Sequence, residues 1–122
     1  MKTILIVDDQ FEVRELVEVT LMVEDYRILK AESGEEGVEI ARKEHPDIII
    51  MDVMMPGGMD GLEATRIIKS DPDINDCKVI MLTAKGQKSD IERGFEVGAE
   101  EYFIKPFSPL DLIKKVEEVM GL

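Results

Sequence analysis

Four short apolar runs, Ile4-Leu5-Ile6-Val7, Ile48-Ile49-Ile50-Met51, Val79-Ile80-Met81-Leu82 and Tyr102-Phe103-Ile104, punctuate the chain, and the stretches between them carry a helical period. No other feature narrows the fold as far. A run that is apolar on successive residues needs cover on both faces, which is the situation of a central strand in a parallel sheet. A weaker and more polar run from Tyr26 to Leu29 suits an edge strand. Strands that alternate with helices imply a parallel sheet flanked by helices on both faces and wound through right-handed crossovers.

The intervening stretches carry helix signals. Val13, Leu16, Val17 and Leu21 recur at helical spacing after the first strand. Ser33 with Glu36, Asp60 with Glu63 and Ser89 with Glu92 have the spacing of helix-opening pairs, and Ser108-Pro109 sets a capping hydroxyl before a first-turn proline. The second helix is expected to run to about Lys43 with Ile40 and Ala41 inward. The third buries Ala64, Ile67 and Ile68 and ends at Asp71-Pro72, because proline cannot continue a helix. The fourth carries Ile91 and Phe95 and stops near Gly98, and the last presents Leu112, Ile113, Val116 and Met120. Five strand-helix units fill the 122 residues, so residues 1–122 are expected to form one α/β domain.

Composition excludes several functions. An apolar fraction of 44% supports a real core, which is mainly aliphatic because Trp is absent and only two Tyr and four Phe occur. A net charge of -12 opposes both a sequence-independent grip on nucleic acid and binding to an anionic membrane surface. Cys77 is the only cysteine, which removes intramolecular disulfides and suits a reducing compartment. No apolar run approaches the ~20 residues needed to span a bilayer, and the amino-terminal apolar stretch is too short for a signal peptide. A cytoplasmic setting is expected.

In open α/β sheets, ligands bind beyond the carboxyl ends of the strands. The first strand ends in Asp8-Asp9, the third in Asp52, the fourth in Thr83 and the fifth in Lys105-Pro106. One strand-terminal Asp is ordinarily a helix cap, but four such ends together bring three carboxylates, a hydroxyl and an ammonium to one edge. Carboxylates within several ångströms repel by roughly 1–4 kcal/mol per pair. A hard divalent cation, Mg2+ or Mn2+, relieves that repulsion, and so few protein oxygens leave coordination positions for water and a phosphate oxygen.

These same residues carry a family resemblance. Val7-Asp8-Asp9, Met51-Asp52-Val53-Met54-Met55-Pro56 with Met59-Asp60-Gly61, Leu82-Thr83-Ala84 and Ile104-Lys105-Pro106-Phe107 resemble, in order and spacing, the motifs of response-regulator receiver domains over essentially the whole chain. The resemblance implies a flavodoxin-like, CheY-like sheet of strand order 2-1-3-4-5. It implies that Asp52 is the nucleophile, taking a phosphoryl group from a phosphohistidine on a sensor histidine kinase or phosphotransfer protein. Asp9, Asp52 and the Met54 carbonyl would ligate Mg2+, with Asp8 acting through a metal-bound water. Lys105 would pair with Asp52 and then with a phosphoryl oxygen, while the Thr83 hydroxyl and the Ala84 N–H donate to the others. Lys105-Pro106 is implied to be cis. The implied output is altered affinity of the face made by the fourth helix, fifth strand and fifth helix for a downstream protein or output domain, with a phosphorylation-dependent dimer also allowed. The domain would thus be a signalling module, not an enzyme, with Mg2+-dependent self-phosphorylation and self-dephosphorylation.

Other positions stay open on sequence. Tyr102 matches the family's switch aromatic and equally reads as a strand tyrosine packed on the last helix. The Lys85-Gly86-Gln87-Lys88 loop is either a switch element or solvated surface. Met54, two residues past Asp52, is expected beside the phosphoryl group, where it cannot orient an attacking water. His45 is expected as a solvated loop residue. The family pattern Met-Pro-x-Met-Asp-Gly is lengthened here by one glycine, in Gly57-Gly58. Two rival functions compete: a phosphohydrolase acting on a free small molecule, and a receiver-like module that never takes phosphate. The first lacks an Asp-x-Asp pair at the first strand, where Asp8 and Asp9 are adjacent, and lacks a cap insertion; the second is opposed by the intact acidic pair, Asp52, Thr83 and Lys105. Nucleotide binding is weaker still, with neither G-x-G-x-x-G nor a P-loop present.

Overall fold

The computed structural model describes residues 1–122, with five strands and five helices in strict alternation: β1 (Thr3–Val7), α1 (Phe11–Thr20), β2 (Arg27–Ala31), α2 (Gly34–Glu44), β3 (Ile48–Met51), α3 (Gly61–Ser70), β4 (Lys78–Thr83), α4 (Lys88–Glu96), β5 (Glu101–Ile104) and α5 (Pro109–Met120). All strands pair in parallel in one sheet of order β2-β1-β3-β4-β5, the doubly wound α/β fold expected.

The apolar runs work as two interleaved sets. Leu5, Val7, Ile49, Met51, Val79 and Met81 face a core closed by Val38 and Ala41 of α2 and Ala64 and Ile68 of α3. Ile4, Ile6, Ile48, Ile50, Ile80 and Leu82 point the other way, onto Val17 and Leu21 beside α1 and Leu112 and Val116 of α5. Side chains alternate across a strand, so an unbroken apolar run supplies both cores at once. Each fully buried Ile or Leu contributes about 1.5–3 kcal/mol relative to exposure.

The start signals are largely realised. Ser33, Asp60 and Ser108 accept from the backbone N–H of Glu36, Glu63 and Asp111, respectively. Glu36 completes its pair differently, accepting from Glu32 N–H in place of Ser33 N–H.

Three expectations need correction. α4 opens at Lys88, before the Ser89–Glu92 pair, because Asp90 accepts from Gln87 N–H and closes the first turn two residues earlier. Phe95 faces solvent, as does Leu16 of α1. On α4 it is Gly94 that meets the sheet, where the Tyr102 ring already fills the room a larger side chain would need. The Tyr102-Phe103-Ile104 run is an edge strand, since β5 pairs with β4 alone, and none of its residues is fully buried. No helix is long and apolar enough to cross a membrane.

Candidate functional site

The sheet ladder continues one step past the strands and fixes the residues that matter. Asp8 N–H donates to Ala31 O, Asp52 N–H to Val7 O and Lys105 N–H to Thr83 O, at 3.1, 2.9 and 2.8 Å. Asp8 and Asp52 follow directly on the paired Val7 and Met51, so they leave neighbouring strands at the same level. Ligand oxygens of Asp8, Asp9 and Asp52 all lie within 4.8 Å of one another. Asp8 and Asp52 are buried, while Asp9 faces solvent.

Lys105 reaches into this cluster from beyond β5. Its ammonium lies 2.8 Å from Asp8 Oδ2 and 3.5 Å from Asp52 Oδ2, so its closer partner is Asp8 and not Asp52 as expected. Two buried carboxylates share one ammonium, and the nearer claims it. The Lys105-Pro106 peptide is cis, in line with the implied geometry. The other Asp8 oxygen accepts from Gln10 N–H at 2.9 Å.

Asp52 is 4% exposed. Burial pushes its carboxyl above the ordinary aspartate range and the Asp8 charge pushes the same way; Lys105, the Thr83 hydroxyl and the Met54 N–H pull against them. Met54 N–H donates to Asp52 Oδ1 at 3.3 Å, while its side chain is exposed. That side chain borders a cleft of about 510 Å³ between the β3–α3 loop and α4, which Lys85 and Arg93 also line. Thr83 is fully buried, and its Oγ1 accepts from Lys85 N–H at 3.4 Å. Ala84 follows at the exposed start of the β4–α4 loop.

Tyr102 joins the sheet to α4 and to the loop after Thr83. Its ring lies against Gly94 of α4 and Met81, and its hydroxyl donates to Lys85 O at 2.6 Å. The ring thus contacts α4, and its hydroxyl the loop after Thr83. The lengthened β3–α3 loop is tied to α2, because Glu35 Oε2 accepts from Met59 N–H at 3.3 Å. His45 is exposed, at the amino end of the sheet.

Two residues of the site were missed on sequence. Arg14 is buried, donates to Asp8 O at 2.7 Å and reaches Glu32 at 3.3 Å, bracing the acidic turn from behind. Its signal was a cation on the stripe Arg14-Val17-Leu21, whose other members are buried. Gly61 is pressed so closely on the Asp52 carbonyl that a Cβ would overlap it, with Val53 Cα only 2.8 Å away.

The donor set fits a hard cation: three carboxylates with one ammonium between them leave excess negative charge, and every donor is oxygen.

Similarity to known proteins points the same way. The chain is 41% identical over 119 residues to the phosphate regulon transcriptional regulatory protein PhoB of Pseudomonas aeruginosa, covering 98% of this chain and 52% of PhoB. It is 38% identical over 117 residues to the transcriptional regulatory protein ResD of Bacillus subtilis, covering 96% of this chain and 47% of ResD. The chain thus spans about half the length of the relatives it matches. The structure of the Vibrio cholerae chemotaxis protein CheY4 superposes with a TM-score of 0.89 at 33% identity, over 98% of both chains. Residues 4–117 match the family model described as the response regulator receiver domain. With that match laid over the acidic edge of a 2-1-3-4-5 sheet, the chain belongs to the response regulator receiver domain family of two-component systems.

Proposed function

We propose that residues 1–122 act as one phosphoacceptor receiver domain, with Asp52 as the acceptor. The observation that carries this reading is the gathering of Asp8, Asp9, Asp52 and Lys105 from three strand ends into one cluster. An Asp52 oxygen attacks phosphorus, the bond from phosphorus to the donor's imidazole nitrogen breaks, and that nitrogen keeps the electron pair and takes a proton from solvent. Asp9, Asp52 and the Met54 carbonyl would hold Mg2+ or Mn2+, with Asp8 supporting the ion less directly. The cation supplies neutralisation of the charge on the transferring group, which is most of what phosphoryl transfer requires of a protein. Lys105 leaves Asp8 to meet one phosphoryl oxygen; the Thr83 hydroxyl and Ala84 N–H meet the others.

The phosphoryl group adds a charge of about -1.5 to -2. Drawing Thr83 toward it moves the Lys85 loop, which the Tyr102 hydroxyl holds from the other side. The face of α4, β5 and α5 then changes its affinity for a downstream protein or output domain. The donor is a sensor histidine kinase or phosphotransfer protein, and an unpaired cysteine suits a cytoplasmic setting.

The test is incubation with Mg2+ and a small acyl phosphate, read by intact mass. One added phosphoryl group is expected on the parent and none on Asp52→Asn. Equal labelling of the two proteins overturns the assignment.

A further inference from the structure

At the opposite, amino end of the sheet lies a second cluster that the phosphoacceptor reading does not use. His45 closes α2, and its N–H returns to Ala41 O at 2.9 Å. Asp76 and Cys77 lead into β4, whose Lys78 pairs with Ile48 of β3. The segments entering two neighbouring strands are therefore brought together. His45 Nε2 lies 2.8 Å from Asp76 Oδ1, and the ligand atoms of His45, Asp76 and Cys77 are all within 4.8 Å of one another. His45 and Asp76 face solvent, whereas Cys77 is 1% exposed and sits beneath them.

We infer that His45, Asp76 and Cys77 form a second cation site, selective for a borderline transition metal such as Zn2+. The donor set decides the class of ion. One imidazole nitrogen, one thiolate and one carboxylate suit Zn2+, while Mg2+ takes oxygen donors and is served by the acidic cluster at the other end of the sheet. Bonds of about 2.0–2.3 Å place tetrahedral ligands roughly 3.5 Å apart. The cluster must therefore contract, and the exposed His45 and Asp76 side chains are free to turn inward onto the fixed sulfur. Three protein ligands leave the fourth position to water.

Binding replaces the Cys77 S–H bond by a sulfur–metal bond and delivers the proton to solvent. Because that proton is released on binding, affinity rises with pH. Around the site, Asp47 accepts from Thr3 N–H, Lys69 donates to Cys77 O, and Lys2 and Lys78 line the adjoining cleft of about 250 Å³. Lys2, Lys69 and Lys78 oppose a divalent ion there, and Asp47 favours one.

Cobalt absorption provides the test, with the full chain held in excess Mg2+ so that the acidic cluster is occupied. Added Co2+ is expected to give a thiolate-to-metal charge-transfer band that saturates at one equivalent, strengthens toward alkaline pH and disappears when Zn2+ displaces it. Cys77→Ser should abolish the band. His45→Asn keeps a residue type that tolerates the left-handed backbone and should weaken binding about tenfold or more, a loss that even outer-shell partners of a metal produce. Phosphorylation of His45→Asn should match the parent, which separates this site from the Asp52 reading. No band from neutral to mildly alkaline pH, or a band unchanged in His45→Asn, overturns the proposal.

Discussion

Lys105 Nζ rests 2.8 Å from Asp8 Oδ2 and 3.5 Å from Asp52 Oδ2, so one ammonium bridges the carboxylates of two adjacent strands. Its removal leaves two buried negative charges facing each other. Because the Lys105 side chain keeps 19% exposure, we expect Lys105→Ala to cost about 1–2 kcal/mol, less than the 3–5 of a fully buried broken pair. The deficit should be present at neutral pH and fade as acid protonates the carboxylates. Urea unfolding at several pH values checks both the size and the fading.

The Asp52 carboxyl titrates above its ordinary range in the folded state, chiefly through burial and then through Asp8. A raised folded pKa favours folding below the unfolded value of about 3.9, and that contribution is lost as pH rises through the folded value. At neutral pH the parent therefore carries the cost of a buried carboxylate that Asp52→Asn lacks. The variant should be more stable by about 1–2 kcal/mol, within the range seen when buried charges are neutralised. The gain should shrink as pH falls and vanish near pH 4. Thermal melts of both proteins over pH 4–8 read the effect, and a constant difference across that range contradicts it.

Divalent cation should act in the same place. At a concentration 100 times its dissociation constant, Mg2+ is expected to raise parent stability by about 2.7 kcal/mol. Asp9→Asn should lose most of this increment, since Asp9 is the cluster's exposed carboxylate and the one without an ammonium partner. Melts with Mg2+ and with chelator measure it. An undiminished increment in Asp9→Asn places the ion elsewhere.

The fold was legible because its information is periodic. Runs such as Ile48 to Met51 serve two cores in alternation, and the carboxyl-end rule then placed Asp8, Asp52, Thr83 and Lys105 on one edge. What escaped depends on close approach, which no period encodes. Phe95 looked like a core residue on hydrophobicity, but Tyr102 occupies the room beside α4 and only Gly94 fits against it. Arg14 carries a charge and is nonetheless buried, because its guanidinium satisfies the Asp8 carbonyl. Which carboxylate Lys105 prefers is a matter of less than an ångström and lies below what spacing can resolve.

Tyr102 couples the β4–α4 loop to the α4 surface through one hydrogen bond and one tight ring contact. A Cβ at Gly94 would meet Tyr102 Cδ2 at 2.7 Å and Met81 Sδ at 3.0 Å. Gly94→Ala should therefore displace the ring toward solvent. Overpacking costs about 1–3 kcal/mol and is offset by about 1 kcal/mol of helix propensity, so a small net loss is expected. Tyr102→Phe should leave the ring in place but free the Lys85 carbonyl now bonded at 2.6 Å. Aromatic NMR shifts should move strongly in Gly94→Ala and little in Tyr102→Phe, whereas amide exchange of the Lys85 loop should quicken in both. A ring signal unmoved by Gly94→Ala would show that α4 can retreat instead.

Two glycines near the acceptor should respond unequally to the same substitution. At Gly61 an added Cβ would overlap the Asp52 carbonyl and crowd Val53 Cα at 2.8 Å, both of them backbone that cannot swing aside. Gly61→Ala must push α3 away from β3 and break the Gly61 N–H to Val53 O bond of 3.0 Å. We expect a loss of about 3 kcal/mol or more, at the upper end of single-substitution effects, and poor phosphorylation of whatever folded protein remains. Gly57 has open space around the missing Cβ but a φ of 86°. Gly57→Ala should therefore cost only the left-handed penalty of about 1–2 kcal/mol, with Asp52 still labelled. Denaturant midpoints and intact-mass labelling of the two variants test the contrast. Equal effects at both positions would mean that the loop after Asp52 moves as one body, and that contact at Gly61 does not position the acceptor.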